Sequence, residues 1–485
     1  MLNKNQEIRL SITSLSVEGA GIGKTDDGIT IFVSDALPGD EVLAHIIKVK
    51  KTYAIAITKE LITPSPFRVE ALCPVAKKCG GCTFQHLSYA KQLEFKQDQV
   101  KACLERIGGI KNPPMEEIIG AENIYHYRNK AQFPVGSDSE LKPVIGFYRR
   151  HSHDVVPNTD CAIQASEDAV ILSEVQAFLR DEGISSYDEE TCKGLVRHIF
   201  TRIGFASREL MVCLICNGSK LPKTDKLVDR LKSAADRVGL KLESLLINVN
   251  KDNTNVIIGK ETYVIYGRDH IEDSIGDIKY HISMPSFYQV NPEQTRKLYD
   301  KAKEYASLTG NEVVWDLYCG IGTISLYLAN EAKMVYGVEI VPEAIENARE
   351  NARINSIDNA EFYVGAAEDV ADTLPAPDVI VVDPPRKGCD EKLLDTILRV
   401  KPGRIVYVSC DPATLARDLN KLISGGYELK HVQPVDQFCQ TVHVETVCLL
   451  VRRNSLHIDI DVDVEEMLQE KRGQATLCAD QRLCS

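Results

Sequence analysis

Over the last third of the chain, short apolar runs alternate with amphipathic helical stretches. EVVWDLY precedes ISLYLAN, MVYGVEI precedes EAIENARENARIN, DVIVVD stands alone, and RIVYVSC precedes TLARDLNKLI. Strands that are apolar throughout need cover on both faces, and an intervening helix is the connection that parallel pairing requires. The pattern predicts an α/β, Rossmann-like domain over 285–454. Ligands of such sheets collect in the crevice beyond the carboxyl ends of the strands, so the residues that close each apolar run are where chemistry is expected.

The rest of the chain reads differently, and 485 residues are too many for one core. The multidomain reading begins with residues 1–66, where IRLSITSLSV, GITIFVSDAL, DEVLAHIIKV and YAIAITKEL alternate in period two between GAGIGK, DDG and PGD turns. This predicts a small β-barrel of the OB kind with about five strands. TPSPFR, at 63–68, is a linker. Residues 67–284 mix helix-like stretches (SYAKQLEFKQDQVKACLERIG, SEDAVILSEVQAFLRDEG) with strand-like ones (RHIFTRIG, ELMVCLICN, SLLINVN), which predicts an α+β domain. Residues 455–485 form an acidic tail, with three Lys or Arg against seven Asp or Glu.

A net charge of −13 disfavours a protein that coats nucleic acid indiscriminately, because phosphate contacts need local positive potential. Residues 71–150 nevertheless hold twelve Lys or Arg against eight Asp or Glu, which suits a selective RNA-facing surface. The N-terminus has no apolar targeting core and no run of eighteen uncharged apolar residues occurs, so the expected location is the cytoplasm, with no membrane contact. Fifteen cysteines in a reducing compartment point to metal ligands or reactive thiols among them. Cys213 and Cys216 lie within the apolar ELMVCLIC run and are expected in the core.

Four run-ends carry the candidate site. VVWDLYCGIGT is a strand, a glycine turn with Gly320 and Gly322, and a helix; Glu339 closes the next strand, where a carboxylate can bind ribose hydroxyls. Position 325 is Ser, not the third glycine of the dinucleotide fingerprint, which argues for an adenosylmethionine site over a nicotinamide one. Asp383 ends DVIVVD ahead of Pro384, Pro385 and Arg386. Cys410 ends RIVYVSC at the start of a helix, a place that favours a thiolate. Glu445 stands in VHVETVCLL as a lone carboxylate on an apolar strand.

The set SFYQVNPEQ, DLYCGIGT, GVEI, DPPRKG, SCDPATLARD and HVETV resembles the bacterial 23S rRNA (uracil-5-)-methyltransferases, including Gram-positive members that modify two rRNA sites. The likeness runs from about residue 5 to 453. It implies that Gln289, Tyr318, Glu339 and Asp383 bind S-adenosylmethionine, that Cys410 is a covalent nucleophile and that Glu445 is the base. The barrel is then similar to a TRAM domain. The likeness also implies that Cys73, Cys79, Cys82 and Cys161 hold a [4Fe-4S] cluster, although four thiolates by themselves suit zinc equally. The implied partner is RNA, 23S rRNA before tRNA, and a non-catalytic RNA-binding protein is the reading from another class. Phe287, two residues before Gln289, is the candidate for stacking on an extracted uracil, with Tyr288 turned to the opposite side if the segment is extended.

Overall fold

The computed structural model describes residues 2–453, so the acidic tail expected over 455–485 lies outside the described residues. The chain opens with a closed barrel of β1 (Glu7–Leu15), β2 (Gly21–Lys24), β3 (Thr30–Ser34), β4 (Glu41–Val49) and β5 (Tyr53–Thr63), in the order β1-β2-β3-β5-β4. Alternate residues such as Leu10, Ile12, Ile31, Val33, Val42 and Ala54 fill its interior. GAGIGK, predicted as a turn, contains β2. A Cβ on Gly21 would lie 2.7 Å from the Ala36 carbonyl oxygen, so this wall of the barrel is too close for any side chain, and a strand built of glycines looks like a turn. The 63–68 linker is pinned to the barrel by Asp40, which is fully buried, accepts the Leu37 and Ser65 amides at 2.6 and 2.7 Å and pairs with Arg68.

Next come α1 (Tyr89–Arg106), β6 (Lys130–Ser137), β7 (Pro143–Tyr148), β8 (Val155–Pro157), α2 (Asp168–Asp181), β9 (Val196–Ile203), β10 (Glu209–Cys216), α3 (Thr224–Arg237), β11 (Lys241–Val249), β12 (Glu261–Gly267) and the hairpin β13 (His270–Ile275) and β14 (Ile278–Ser283). Strands β6 to β12 form a seven-stranded sheet in the order β12-β11-β10-β9-β6-β7-β8. Leu210, Val212, Leu214 and Cys216 of β10 face the core beneath α2 and α3. Met211, Cys213 and Ile215 face a second core, shared with the next domain. Burial on both faces explains the unbroken apolar run of β10, and Cys213 and Cys216 are core residues.

The last domain contains α4 (Pro292–Ala306), β15 (Val313–Leu317), α5 (Thr323–Ala329), β16 (Met334–Glu339), α6 (Pro342–Ile354), β17 (Ala360–Val364), α7 (Ala367–Val370), β18 (Val379–Val382), α8 (Glu391–Val400), β19 (Arg404–Ser409), α9 (Pro412–Ser424), β20 (Tyr427–Val435) and β21 (Glu445–Arg452). Its sheet runs β17-β16-β15-β18-β19-β21-β20, parallel as far as β19, with β21 antiparallel to both neighbours. Val314, Val381 and Val406 point to one core, and Leu317, Ile380 and Tyr407 to the other.

Further pieces of the 67–284 stretch also pack with this domain. Val100 and Leu104 of α1 share a core with Leu415 and Leu419 of α9, and Ile271, Tyr280 and Ile282 of the β13–β14 hairpin pack with residues of α5 and α6.

The close approach in the barrel gives a test. Gly21→Ala should destabilise the protein by about 1–3 kcal/mol through overpacking, read as a lower urea midpoint. An unchanged midpoint would show that the Ala36 backbone yields freely.

Candidate active site

The sheet order sets the candidate residues side by side. Glu339 is the last residue of β16, Tyr318 and Gly320 follow β15, Asp383 follows β18 and Cys410 follows β19. Glu445 joins the row because β21 runs the other way. Ser409 pairs with Thr446, which brings the first residue of β21 to the edge where β19 ends. At about 4.8 Å per strand, the row from β16 to β21 spans roughly 19 Å.

Above this edge lies a cavity of about 630 Å³ whose wall includes Glu339, Tyr318, Gly320, Asp383, Cys410, Glu445, Gln289 and Phe287. Its size is that of a cofactor or ligand site. Gly320, at φ +54, has open space where a Cβ would stand. Tyr318 adopts φ +69, a left-handed conformation rare for a large side chain. The Glu339 carboxylate accepts the amides of Gly320 at 3.3 Å and Val341 at 3.0 Å, which fixes it at the turn. Gly322 is not on the wall. It caps α5 at φ +81 with its Cα turned toward Phe362 and Ala348, so it supports the turn from behind.

Phe287 and Gln289 lie on the 284–291 segment between β14 and α4. Buried Arg202 donates to the carbonyls of Ser283 at 2.6 Å and Ser286 at 2.8 Å, and the Asn129 side chain donates to the Gln289 carbonyl at 3.0 Å. The segment alternates: Phe287 is 71% exposed while Tyr288 is 3% exposed, so Phe287 presents its ring to the cavity and does not pack the domain seam. Sequence reading missed Phe438 and His443, which line the cavity from the 436–444 stretch ahead of β21. Their signal was weak, because that stretch is neither helix nor strand.

Several ionisable groups of the cavity are held toward their neutral forms. Burial pushes Asp316 up to about 7, although Ser325 Oγ donates to it at 2.5 Å. Burial, then the charge of Asp316, raises Asp383. Burial, then the charge of Asp383, raises Glu445 well above the carboxylate range, with Arg386 opposing. Glu445 Oε2 is buried and has no hydrogen-bond partner. The expectation that the helix start favours a Cys410 thiolate is not met. Burial, followed by the charges of Glu445 and Asp383, pushes the thiol up to about 12, and Arg386 is the neighbour that lowers it. The start of α9 is already occupied, because Asp411 accepts the amides of Ala413 and Thr414, each at 3.0 Å.

Away from the cavity, Cys73 is buried while Cys79, Cys82 and Cys161 are half-buried, all as free thiols. Burial raises the pKa of Cys79, Cys82 and Cys161, and the charges of others of the four add to it. The Gly81 amide donates to Cys79 Sγ at 3.4 Å and Asn158 Nδ2 to Cys73 Sγ at 4.0 Å. Among the described residues no three His, Cys, Asp or Glu side chains are placed to hold a single metal ion, and no helix is long and apolar enough to cross a membrane.

Comparison with known proteins matches residues 88–453 to the tRNA (uracil-5-)-methyltransferase family model and residues 2–59 to the TRAM domain. The chain belongs to the tRNA (uracil-5-)-methyltransferase family. It is 50% identical over 457 residues to an uncharacterised RNA methyltransferase of Halalkalibacterium halodurans, covering 93% of this chain and 98% of that one. A Clostridium tetani RNA methyltransferase, also uncharacterised, is 47% identical over 453 residues, covering 93% and 97%. Among solved structures, the Pyrococcus abyssi tRNA (uracil-54, C5)-methyltransferase in complex with S-adenosyl-L-homocysteine superposes with a TM-score of 0.75 at 29% identity, covering 92% of this chain and 100% of that one. The protein is accordingly an S-adenosylmethionine-dependent RNA methyltransferase of the uracil-C5 type.

The raised Cys410 pKa has a measurable sign. A thiol whose pKa lies near 12 is protonated at neutral pH, so its alkylation rate should rise about tenfold per pH unit from 7.5 to 9.5 in the free protein. Mass spectrometry of iodoacetamide-treated protein reads this site by site; a rate already flat above pH 8 would mark a pre-ionised thiol. Arg386→Gln should slow the reaction at every pH in that range.

Proposed function

We propose that this enzyme methylates carbon 5 of a uridine in 23S rRNA through a covalent adduct on Cys410. The observation that carries the reading is one cavity wall shared by a thiol, the Asp383–Glu445 carboxyl pair and the glycine turn of the methyltransferase fold. Bound S-adenosylmethionine supplies an electrophilic methyl group. The β16–β15 side of the wall fits it, with Glu339 fixed at the turn, Gly320 leaving room for close approach, and Tyr318, Gln289 and Asp383 bordering the same space.

Phe287 and the Cys410 side of the cavity receive the base, which must leave its stack because carbon 6 is otherwise shielded. Uracil carbon 5 is a poor nucleophile. The Cys410 thiol gives its proton to solvent and the thiolate adds to carbon 6, while the π electrons of the C5–C6 bond move to the carbon 4 oxygen as an enolate. Carbon 5 then takes the methyl group as its bond to the sulfonium sulfur breaks, leaving S-adenosylhomocysteine. Glu445 removes the proton left on carbon 5. The electrons of that C–H bond restore the C5–C6 double bond, and sulfur leaves with the C–S pair. Once ionised, Glu445 is a stronger base than an exposed carboxylate, and Arg386 is placed to favour both its carboxylate and the Cys410 thiolate.

The Pyrococcus abyssi protein is a tRNA (uracil-54, C5)-methyltransferase, which makes tRNA the second reading. Methyl incorporation into separate 23S rRNA and tRNA transcripts decides between them, with the rRNA transcript expected to be the substrate. Cys410→Ala should abolish methylation and keep cofactor affinity, because the thiol acts on the base; turnover by this variant contradicts the mechanism. Phe287→Ala should weaken RNA binding by roughly tenfold to a hundredfold, from the usual worth of base stacking, with little change in cofactor affinity or melting temperature. Parallel loss of all three would mark a packing residue.

Cys73, Cys79, Cys82 and Cys161 are proposed ligands of a [4Fe-4S] cluster. Their all-sulfur donor set and the amide donors aimed at two of the sulfurs support this. Four thiolates suit zinc as well, which makes zinc the alternative occupant. Anaerobically purified protein should contain about four iron and four sulfide per chain, and stoichiometric zinc without iron would overturn the assignment. Free thiols and an RNA substrate agree with a cytoplasmic location.

A further inference from the structure

Only Gln92, Lys96, Val100 and Leu104 of α1 are buried, a stripe with one residue every four. The lower half, Val100 and Leu104, packs on α9. The upper half is polar, and a lysine in a core is costly unless it is paired and hydrogen-bonded. A helix required only to pack would carry aliphatic residues there.

That polar half faces the 436–444 stretch. Lys96 and Asp436 form an ion pair in which neither side chain is exposed, and Lys96 Nζ also donates to the Phe438 carbonyl at 3.0 Å. Tyr89, on the same helix, donates to Asp436 at 2.8 Å. The Gln440 amide donates to Gln92 Oε1 at 3.1 Å, and Gln92 Nε2 donates to Gln440 Oε1 at 3.1 Å. The amides of Thr83 and Phe84, just after Cys82, both donate to the Gln440 carbonyl, at 3.0 and 2.9 Å. Tyr127 donates to the Cys439 carbonyl at 2.9 Å. Held this way, Gln440 adopts φ +69, a conformation that a non-glycine residue keeps only when its surroundings impose it. The stretch has no regular structure of its own, yet it carries Phe438 and His443 and delivers Glu445 to the cavity.

We propose that Lys96 is a positioning residue that fixes the 436–444 strap so that Glu445 reaches the carbon 5 proton. This inference rests on the covalent mechanism proposed above. Cys410 is held by β19 and α9, whereas the polar partners of Lys96, Asp436 and the Phe438 carbonyl, lie on the strap, so loss of Lys96 leaves sulfur addition and methyl transfer in place. Proton removal slows instead. The C5–H bond persists, the C6–S bond cannot break, and the enzyme stays joined to methylated RNA.

The test uses full-length, cluster-loaded Lys96→Met together with Lys96→Met/Asp436→Asn, which removes both buried charges and decides the matter if the single variant does not fold. The expected result is a 5-fluorouridine RNA adduct formed at close to the wild-type rate, with turnover on ordinary RNA lowered by about tenfold to a hundredfold, the usual effect of a slightly misplaced catalytic group. A protein–RNA species carrying labelled methyl should accumulate on denaturing gels of the variants and not of the wild type. A purely structural role would not produce that species. Folded double variant with wild-type turnover, or with lost turnover and no methylated adduct, overturns the proposal. A wild-type enzyme that forms no fluorouridine adduct removes the covalent mechanism itself, a separate and recognisable failure.

Discussion

The site depends on one reversal of strand direction. In a wholly parallel sheet every strand would present its last residue at the ligand edge, and a residue that opens a strand would lie at the far end. Because β21 is antiparallel to β19, the pairing of Ser409 with Thr446 brings the start of one strand beside the end of the other. Cys410 and Glu445 thereby share an edge although they are far apart in the chain. The segment 113–119 continues the arrangement, with Met115 and Ile119 bridging to Val432 and Val435 along β20.

The second dependence is electrostatic. Burial holds Asp316, Asp383, Glu445 and Cys410 toward their neutral forms, and each carboxylate raises the proton affinity of the next. A free thiolate in this cavity would be open to oxidation and alkylation. The arrangement keeps the thiol quiet and leaves Arg386, on the exposed loop after Asp383, as the cation that favours its ionisation.

Much of this was legible from sequence. Period-two alternation located four of the five barrel strands, and the strand-helix repeat located the carboxyl edge and, with it, Glu339, Asp383 and Cys410. What failed did so for identifiable reasons. β2 looked like a turn because crowding at Gly21 selects against side chains. Cys410 looked activated because a helix start was in view, while the claim of Asp411 on the same amides was not. Nothing in the sequence singles out Lys96, since its partner Asp436 is 340 residues away. Phe438 and His443 sit on a strap whose conformation comes from its neighbours and so has no periodicity to read.

The most direct test of the mechanism is tritium release from RNA labelled at carbon 5 of uridine, measured beside methyl transfer. The wild-type enzyme should release one tritium for each methyl group transferred, with no release when S-adenosylmethionine is absent. Glu445→Gln should transfer methyl at most once per enzyme and keep the tritium in a covalent complex. Tritium release by Glu445→Gln at the wild-type rate would contradict the assignment of Glu445 as the base and, with it, the catalytic importance of the reversed strand.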